Sequence, residues 1–265
     1  MPTLAHLSDL HLGQSQSRGE HVSRLFHELL VAGVDHVVVT GDITHSGQRR
    51  EYQRFLEVTS PFERSGRLTV VPGNHDRCGD DIGELVSGGR RVWVESREDL
   101  YLVCVDSTAP HNRASFRAHG EICARTLELI DVALSRAPAR CLTAVLLHHH
   151  PLPLPVETIG EWFAERFGWP HAAELPLGRD LLKSVLGRCD LLLHGHRHLP
   201  REFLIEVPGR PLRIYNAGSS SELRACRLFD ITGRRSAAPV WLEAAPPSRR
   251  SRRQGRASLE TIVVA

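Results

Sequence analysis

Five short apolar runs of the chain end in side chains that bind metal ions. "HLSDLH" carries Asp9 and His11, "VVVTGD" carries Asp42, and "VVPGNHD" carries Asn74, His75 and Asp76. "VLLHHH" brings His148, His149 and His150, and "LLLHGHRH" brings His196 and His198. An Asp after a strand is a common turn residue, but five such groups at the same end of five runs point to one centre. Asp9, His11, Asp42, Asn74, one central histidine, His196 and His198 are too many donors for a single tetrahedral or octahedral ion. Two divalent ions sharing one carboxylate fit them. Oxygen and imidazole donors without thiolate favour Mn or Fe, with Zn a further choice, over a calcium cage. Neighbouring side chains of an extended segment point to opposite faces, so of two adjacent histidines only one can meet the ions.

Apolar runs bounded by turn signals, "TLAHL", "HVVVT", "LTVV", "LYLVCV", "LTAVLL" and "CDLLL", read as buried strands. Helical stripes lie between most of them. Val22, Leu25, Phe26, Leu29 and Leu30 follow a Ser17/Glu20 capping box. Tyr52, Phe55 and Leu56 form a second stripe, Cys123, Leu127, Ile130 and Leu134 a third, and Leu181, Leu182, Val185 and Leu186 a fourth. This alternation predicts an α/β fold with partly parallel strands, whose carboxyl ends gather along one edge. After His198, "EFLIEVPGRPLRIYNAGSS", "RACRLFDI" and "PVWLEA" follow without a helix. That all-β ending predicts a second sheet packed on the first. Residues 1–245 are expected to form the catalytic domain, with an aromatic insert over 151–176. An arginine-rich tail over 246–265 ends in "SLETIVVA", a possible edge strand.

The 265 residues can bury a sizeable core without disulfides, and the six cysteines contain no CxxC pair. Of 33 basic residues, five arginines lie in "SRRSRRQGR", which leaves 28 against 31 acidic ones, a body of charge −3. A mildly acidic body argues against a nucleic-acid-binding face. With no signal-like start and no bilayer-length apolar run, the chain is expected to be cytoplasmic, with no membrane span.

"DLH", "GD", "GNHD", a strand-terminal histidine and "GHRH", in this order, resemble the five signature motifs of the calcineurin-like metallophosphoesterase superfamily. The resemblance runs from Leu4 to about Ser220, where "NAGSS" is similar to the family's closing segment. Its layout is most similar to the bacterial class III cyclic-nucleotide phosphodiesterases. It implies a four-layer αββα sandwich of two mixed β-sheets flanked by helices. It also implies that Asp9, His11, Asp42 and His198 hold one metal and that Asp42, Asn74, a central histidine and His196 hold the other. The family's fourth motif places its ligand two residues before a proline, which selects His149, with His148 the choice if the register is off by one. His75 is then expected over the phosphate, stabilising the transition state or protonating the leaving alkoxide, with Asp76 orienting it.

On the substrate side, His150 either faces the substrate or packs under the proline run. Arg77 is a possible phosphate clamp, against a surface role. The insert "TIGEWFAERFGWP" presents Ile159, Trp162, Phe163 and Phe167 at helical spacing. It reads as a cap helix, a pocket wall in which Trp162 and Phe163 stack on substrate, or a dimer contact. The expected function is hydrolysis of a phosphate ester, foremost a small phosphodiester such as a cyclic nucleotide. A nuclease of the same superfamily is the rival enzyme, and a non-catalytic scaffold the rival of another class, disfavoured because every ligand position is filled.

Overall fold

The computed structural model describes residues 2–114, 118–152, 175–244 and 260–263. The chain runs β1 (Thr3–Leu7), α1 (Gln16–Val31), β2 (His36–Thr40), α2 (Arg49–Arg64), β3 (Leu68–Val71), α3 (Ile82–Ser87), β4 (Val92–Ser96), β5 (Leu100–Val105) and α4 (Ala124–Ser135). It continues β6 (Leu142–Leu146), α5 (Gly178–Val185), β7 (Leu191–His194), β8 (Arg201–Glu206), β9 (Leu212–Asn216), α6 (Ser220–Leu223), β10 (Ala225–Thr232), β11 (Arg235–Ser236), β12 (Val240–Glu243) and β13 (Glu260–Val263). Each of the six apolar runs is a strand. The helical stripes are α1, α2, α4 and α5.

Two mixed sheets form. One has the order β11-β10-β1-β2-β3, with β12 also on β10; the other has β13-β8-β9-β7-β6-β5-β4. β1, β2 and β3 are mutually parallel, as are β5, β6, β7 and β9. Side-chain alternation sorts each strand between two layers. Ala5, Leu7, Val37 and Val39 pack outward with Leu25, Phe26 and Phe55 of α1 and α2. Leu4 and Val38 point inward to meet Leu102, Cys104, Leu142, Leu146 and Leu191 of the other sheet. On that sheet Val103, Val105 and Leu192 turn outward to Ile130 and Leu134 of α4 and Leu181 and Val185 of α5. The result is a helix-sheet-sheet-helix stack. Strands covered on both faces read as continuous apolar runs, which is why they stand out in the sequence.

Three details differ from expectation. β4 has no counterpart in the sequence reading, because "VWVES" is a short edge strand with polar positions and one face half exposed. The cap of α1 is Ser15, not Ser17: its extended backbone lets the side-chain oxygen accept the Arg18 N–H. The all-β ending does not build the second sheet alone, since β8 and β9 extend the sheet of β4–β7 while β10–β12 extend the sheet of β1–β3. The crossing between them, Ser219 to Leu223, passes beside the carboxyl end of β1. An ion pair between the buried Arg227 of β10 and the half-buried Glu202 of β8 spans the two sheets. β13 pairs in parallel with β8 at the outer edge.

Candidate metal centre

The metal-binding side chains follow their strands by nearly constant intervals. Asp9 comes two residues after β1, Asp42 two after β2, Asn74 three after β3, His148 two after β6 and His196 two after β7. The carboxyl ends of parallel strands from both sheets therefore deliver them to one place. Turning sharply there forces uncommon backbone geometry. Of the eight non-glycine residues with positive φ among the described residues, five are Asp9 (53°), His11 (46°), Asp42 (50°), His196 (77°) and His198 (56°). Such conformations cost free energy and persist where the surroundings hold them. Here Asp9 N–H donates to Gly41 O, His11 N–H to Asp42 O, and His196 N–H to the Asp9 carboxylate. Ser219 and Ser221 hydroxyls both donate to Asp9 O. A side chain at Gly73 would meet Asp42 Oδ1 at 2.2 Å, and one at Gly195 would meet Ser8 Oγ at 1.8 Å and Asp9 Oδ2 at 2.4 Å. These glycines are needed for close approach.

Two donor sets result. In the first, ligand atoms of Asp9, His11, Asp42 and His198 lie within 4.8 Å of one another. His11 Nε2 and His198 Nε2 are 3.0 Å apart, with Asp9 Oδ1 3.3 Å from the latter and Asp42 Oδ2 3.6 Å from the former. In the second, His148 Nε2 lies 3.1 Å from Asn74 Oδ1, 3.4 Å from Asp42 Oδ2 and 3.3 Å from His196 Nδ1, which is itself 3.0 Å from Asn74 Oδ1. Oxygens and imidazole nitrogens facing one another, with few protons between them, suit a cation. Asp42 Oδ2 belongs to both sets.

Protonation agrees with this. Burial holds His11 down at about 4 and His196 well below the usual imidazole range, so both keep the neutral form that binds metal. Burial also opposes charge on His148, but Asp42, Asp9 and the Thr40 carbonyl outweigh it and raise its pKa to about 9. The negative charge that draws a proton to His148 would equally draw a metal ion. His148 Nδ1–H donates to Thr40 O at 2.7 Å, which fixes the ring and leaves Nε2 to face the site.

His149 is not placed as the motif register implies. Its ring approaches those of His148 and His196, yet both nitrogens are engaged elsewhere. Nε2–H donates to Ala118 O at 2.9 Å, and Nδ1 pairs with Ser107 Oγ at 2.9 Å. Ser107 Oγ in turn accepts the His149 N–H. A ring nitrogen of His149 still lies within 4.8 Å of those of His148 and His196, but the nitrogen that faces Asp42 and Asn74 is that of His148.

His75 stands at the edge of the first set, its ring 4.7 Å from that of His11. Its backbone N–H donates to Asp42 Oδ1, and its Nδ1–H donates to His45 O at 2.7 Å. The orienting group is thus the His45 carbonyl and not Asp76. The buried Asp76 carboxylate instead accepts from Gly73, Ile43 and Thr44 N–H groups and from Thr44 Oγ1, tying the loops after β2 and β3 together. Arg77 is no phosphate clamp: all three guanidinium nitrogens are occupied, by Thr108, by Asp81 with Glu84, and by Asp106. His150 is buried, with its ring 5.8 Å from that of His196 and Nδ1 lacking a hydrogen-bond partner among the described residues. Trp162, Phe163 and the other insert residues over 153–174, like residues 245–259 of the arginine-rich tail, lie outside the described residues.

The sequence reading passed over Ser107, Asp106, Ser219, Ser221 and His45. Only the serines at 219 and 221 carried a signal, inside "NAGSS" and the residue after it. The others act through backbone groups or partners distant in sequence.

Among the described residues no helix is long and apolar enough to cross a membrane. A sequence model of the calcineurin-like phosphoesterase family matches residues 2–200. The chain is 30% identical over 184 residues to the 3′,5′-cyclic adenosine monophosphate phosphodiesterase CpdA of Escherichia coli (strain K12), covering 67% of this chain and 58% of the relative. It is 25% identical over 171 residues to a probable glycerophosphodiester phosphodiesterase GpdQ of Arcobacter nitrofigilis, covering 62% and 56%. The chain thus spans less than two thirds of the length of these relatives. A dimetal phosphatase from Danio rerio shares the fold at a TM-score of 0.63 and 10% identity, over 92% of this chain and 99% of that one. With its motifs, its two-sheet sandwich and its paired donor sets in place, the chain belongs to the calcineurin-like phosphoesterase family.

Proposed function

We propose that the protein is a binuclear metal-dependent phosphodiesterase acting on a small phosphodiester such as a cyclic nucleotide. The observation that carries this reading is the position of Asp42 Oδ2, 3.6 Å from His11 Nε2 on one side and 3.4 Å from His148 Nε2 on the other. Asp9, His11, Asp42 and His198 would hold one divalent ion, and Asp42, Asn74, His148 and His196 the other, with Mn or Fe suited to the donors and Zn a further choice. Ions bound there supply charge neutralisation of the phosphoryl group and activation of water. The chain contributes the rest. Its sharp turns hold the ligands in place, and His75, fixed by the His45 carbonyl, points its remaining nitrogen away from that bond to serve the leaving oxygen. The names of the CpdA and GpdQ relatives support a diester over a monoester.

The test is protein loaded with manganese and assayed in parallel on an aryl phosphomonoester, an aryl phosphodiester, cyclic nucleotides and single-stranded DNA. Hydrolysis of the aryl diester and a cyclic nucleotide is expected. Preference for DNA would make the protein a nuclease, and absence of both bound metal and turnover would make it a scaffold. In the active protein, His75→Ala is expected to lower kcat by at least about 10²-fold, the range of general acid catalysis. Its metal content, measured by elemental analysis, should stay that of the parent.

A further inference from the structure

His45 belongs to none of the motifs, yet it adjoins the site. It lies three residues after Asp42, where the chain leaves β2, and its carbonyl already fixes His75. Its ring stacks on that of His75, centroids 5.5 Å apart and planes 23° from parallel, and meets the His11 ring edge-on at 5.7 Å. A ring nitrogen of His45 comes within 4.8 Å of ring nitrogens of both His11 and His75. The imidazole is half-buried, and its Nδ1 is buried with no hydrogen-bond partner among the described residues. An orphaned buried N–H is costlier than an orphaned lone pair. The proton therefore belongs on Nε2, which leaves His45 one ring N–H to donate.

We propose that His45 is a second substrate-contacting imidazole, whose Nε2–H donates to an oxygen of the bound phosphate ester beside His75. A ring nitrogen of His45 and one of His75 lie within 4.8 Å of each other, so the two rings can serve oxygens of one phosphoryl group at ordinary hydrogen-bond length, about 2.9 Å, His75 acting as a donor in the protonated form that would serve the leaving oxygen. Stacking makes the pair a unit: His45 cannot swing away without unpacking His75. The inference rests on the phosphoesterase reading of this site and assigns to it a residue that the ligand motifs do not include.

The test uses His45→Phe, which keeps the stacked ring and the backbone carbonyl but removes the donor, and His45→Gln, which keeps a donor. Three quantities are measured on the manganese-loaded full chain: metal content, kcat/KM on an aryl phosphodiester, and the affinity of inorganic phosphate by titration calorimetry. His45→Phe is expected to retain its metal, to lose roughly 10- to 100-fold in kcat/KM, as for a lost hydrogen bond to a charged group, and to bind phosphate more weakly. His45→Gln should recover part of both losses. Wild-type values in His45→Phe, loss of metal from it, or a His45→Gln as impaired as His45→Phe would each overturn the proposal. If the wild-type protein hydrolyses no ester, the phosphoesterase reading fails, while the phosphate titration still decides whether His45 contacts the anion.

Discussion

Asp42→Asn is expected to deprive both positions of their ions and to bring ester hydrolysis to background. The substitution keeps the shape of the side chain and the Oδ1 acceptor for the His75 N–H, so the fold has little reason to change. It removes the one negative charge common to both donor sets. Burial opposes ionisation of Asp42, but His148, His75 and His11 around it hold its carboxyl well below the usual carboxylate range. An ion at either position would find that charge already formed. With asparagine, the first set keeps Asp9 as its only anion and the second keeps none, since Asn74, His148 and His196 are neutral ligands. The loss in affinity should exceed the roughly 10- to 100-fold range of outer partners at both positions. Elemental analysis after desalting, with circular dichroism to verify folding, measures it. A folded Asp42→Asn protein retaining two ions per chain would remove the shared carboxylate from the proposal.

Sequence patterns revealed some parts of this arrangement and hid others for identifiable reasons. Runs such as "HVVVT" and "LYLVCV" are legible because the two-sheet sandwich buries both of their faces, Val38 inward and Val37 and Val39 outward. The convergence of Asp9, Asp42, Asn74 and His196 was legible because parallel strands end on the same side, and each donor trails its strand by two or three residues. "VWVES" hid because an edge strand has little apolar pattern. The role of Arg77 stayed open between clamp and surface for a different reason: proximity to "GNHD" says nothing about Asp106, 29 residues further on, which claims its guanidinium. Asp76 likewise was assigned to its neighbour, whereas its partners are the backbone groups of another loop.

The choice between adjacent histidines in "HHHP" shows the limit most sharply, and it carries the second large prediction. Alternation allows one of His148 and His149 to face the site but not both. The decision is made by tertiary contacts no local pattern contains: the Thr40 carbonyl takes the His148 Nδ1–H, and Ser107 with the Ala118 carbonyl takes both nitrogens of His149. His148→Ala should therefore lose the ion of the second set, leaving about one ion per chain, and lower kcat by well over about 10²-fold, beyond what an outer partner costs. His149→Ala should keep two ions. Its cost should fall on stability, because it leaves Ser107 and the Ala118 carbonyl without their partner and opens a cavity against Gly120, whose α-carbon packs beside the ring. Metal content and thermal unfolding of the two variants, measured side by side, separate these roles. A His149→Ala protein with one ion and a His148→Ala protein with two would restore the register implied by the proline.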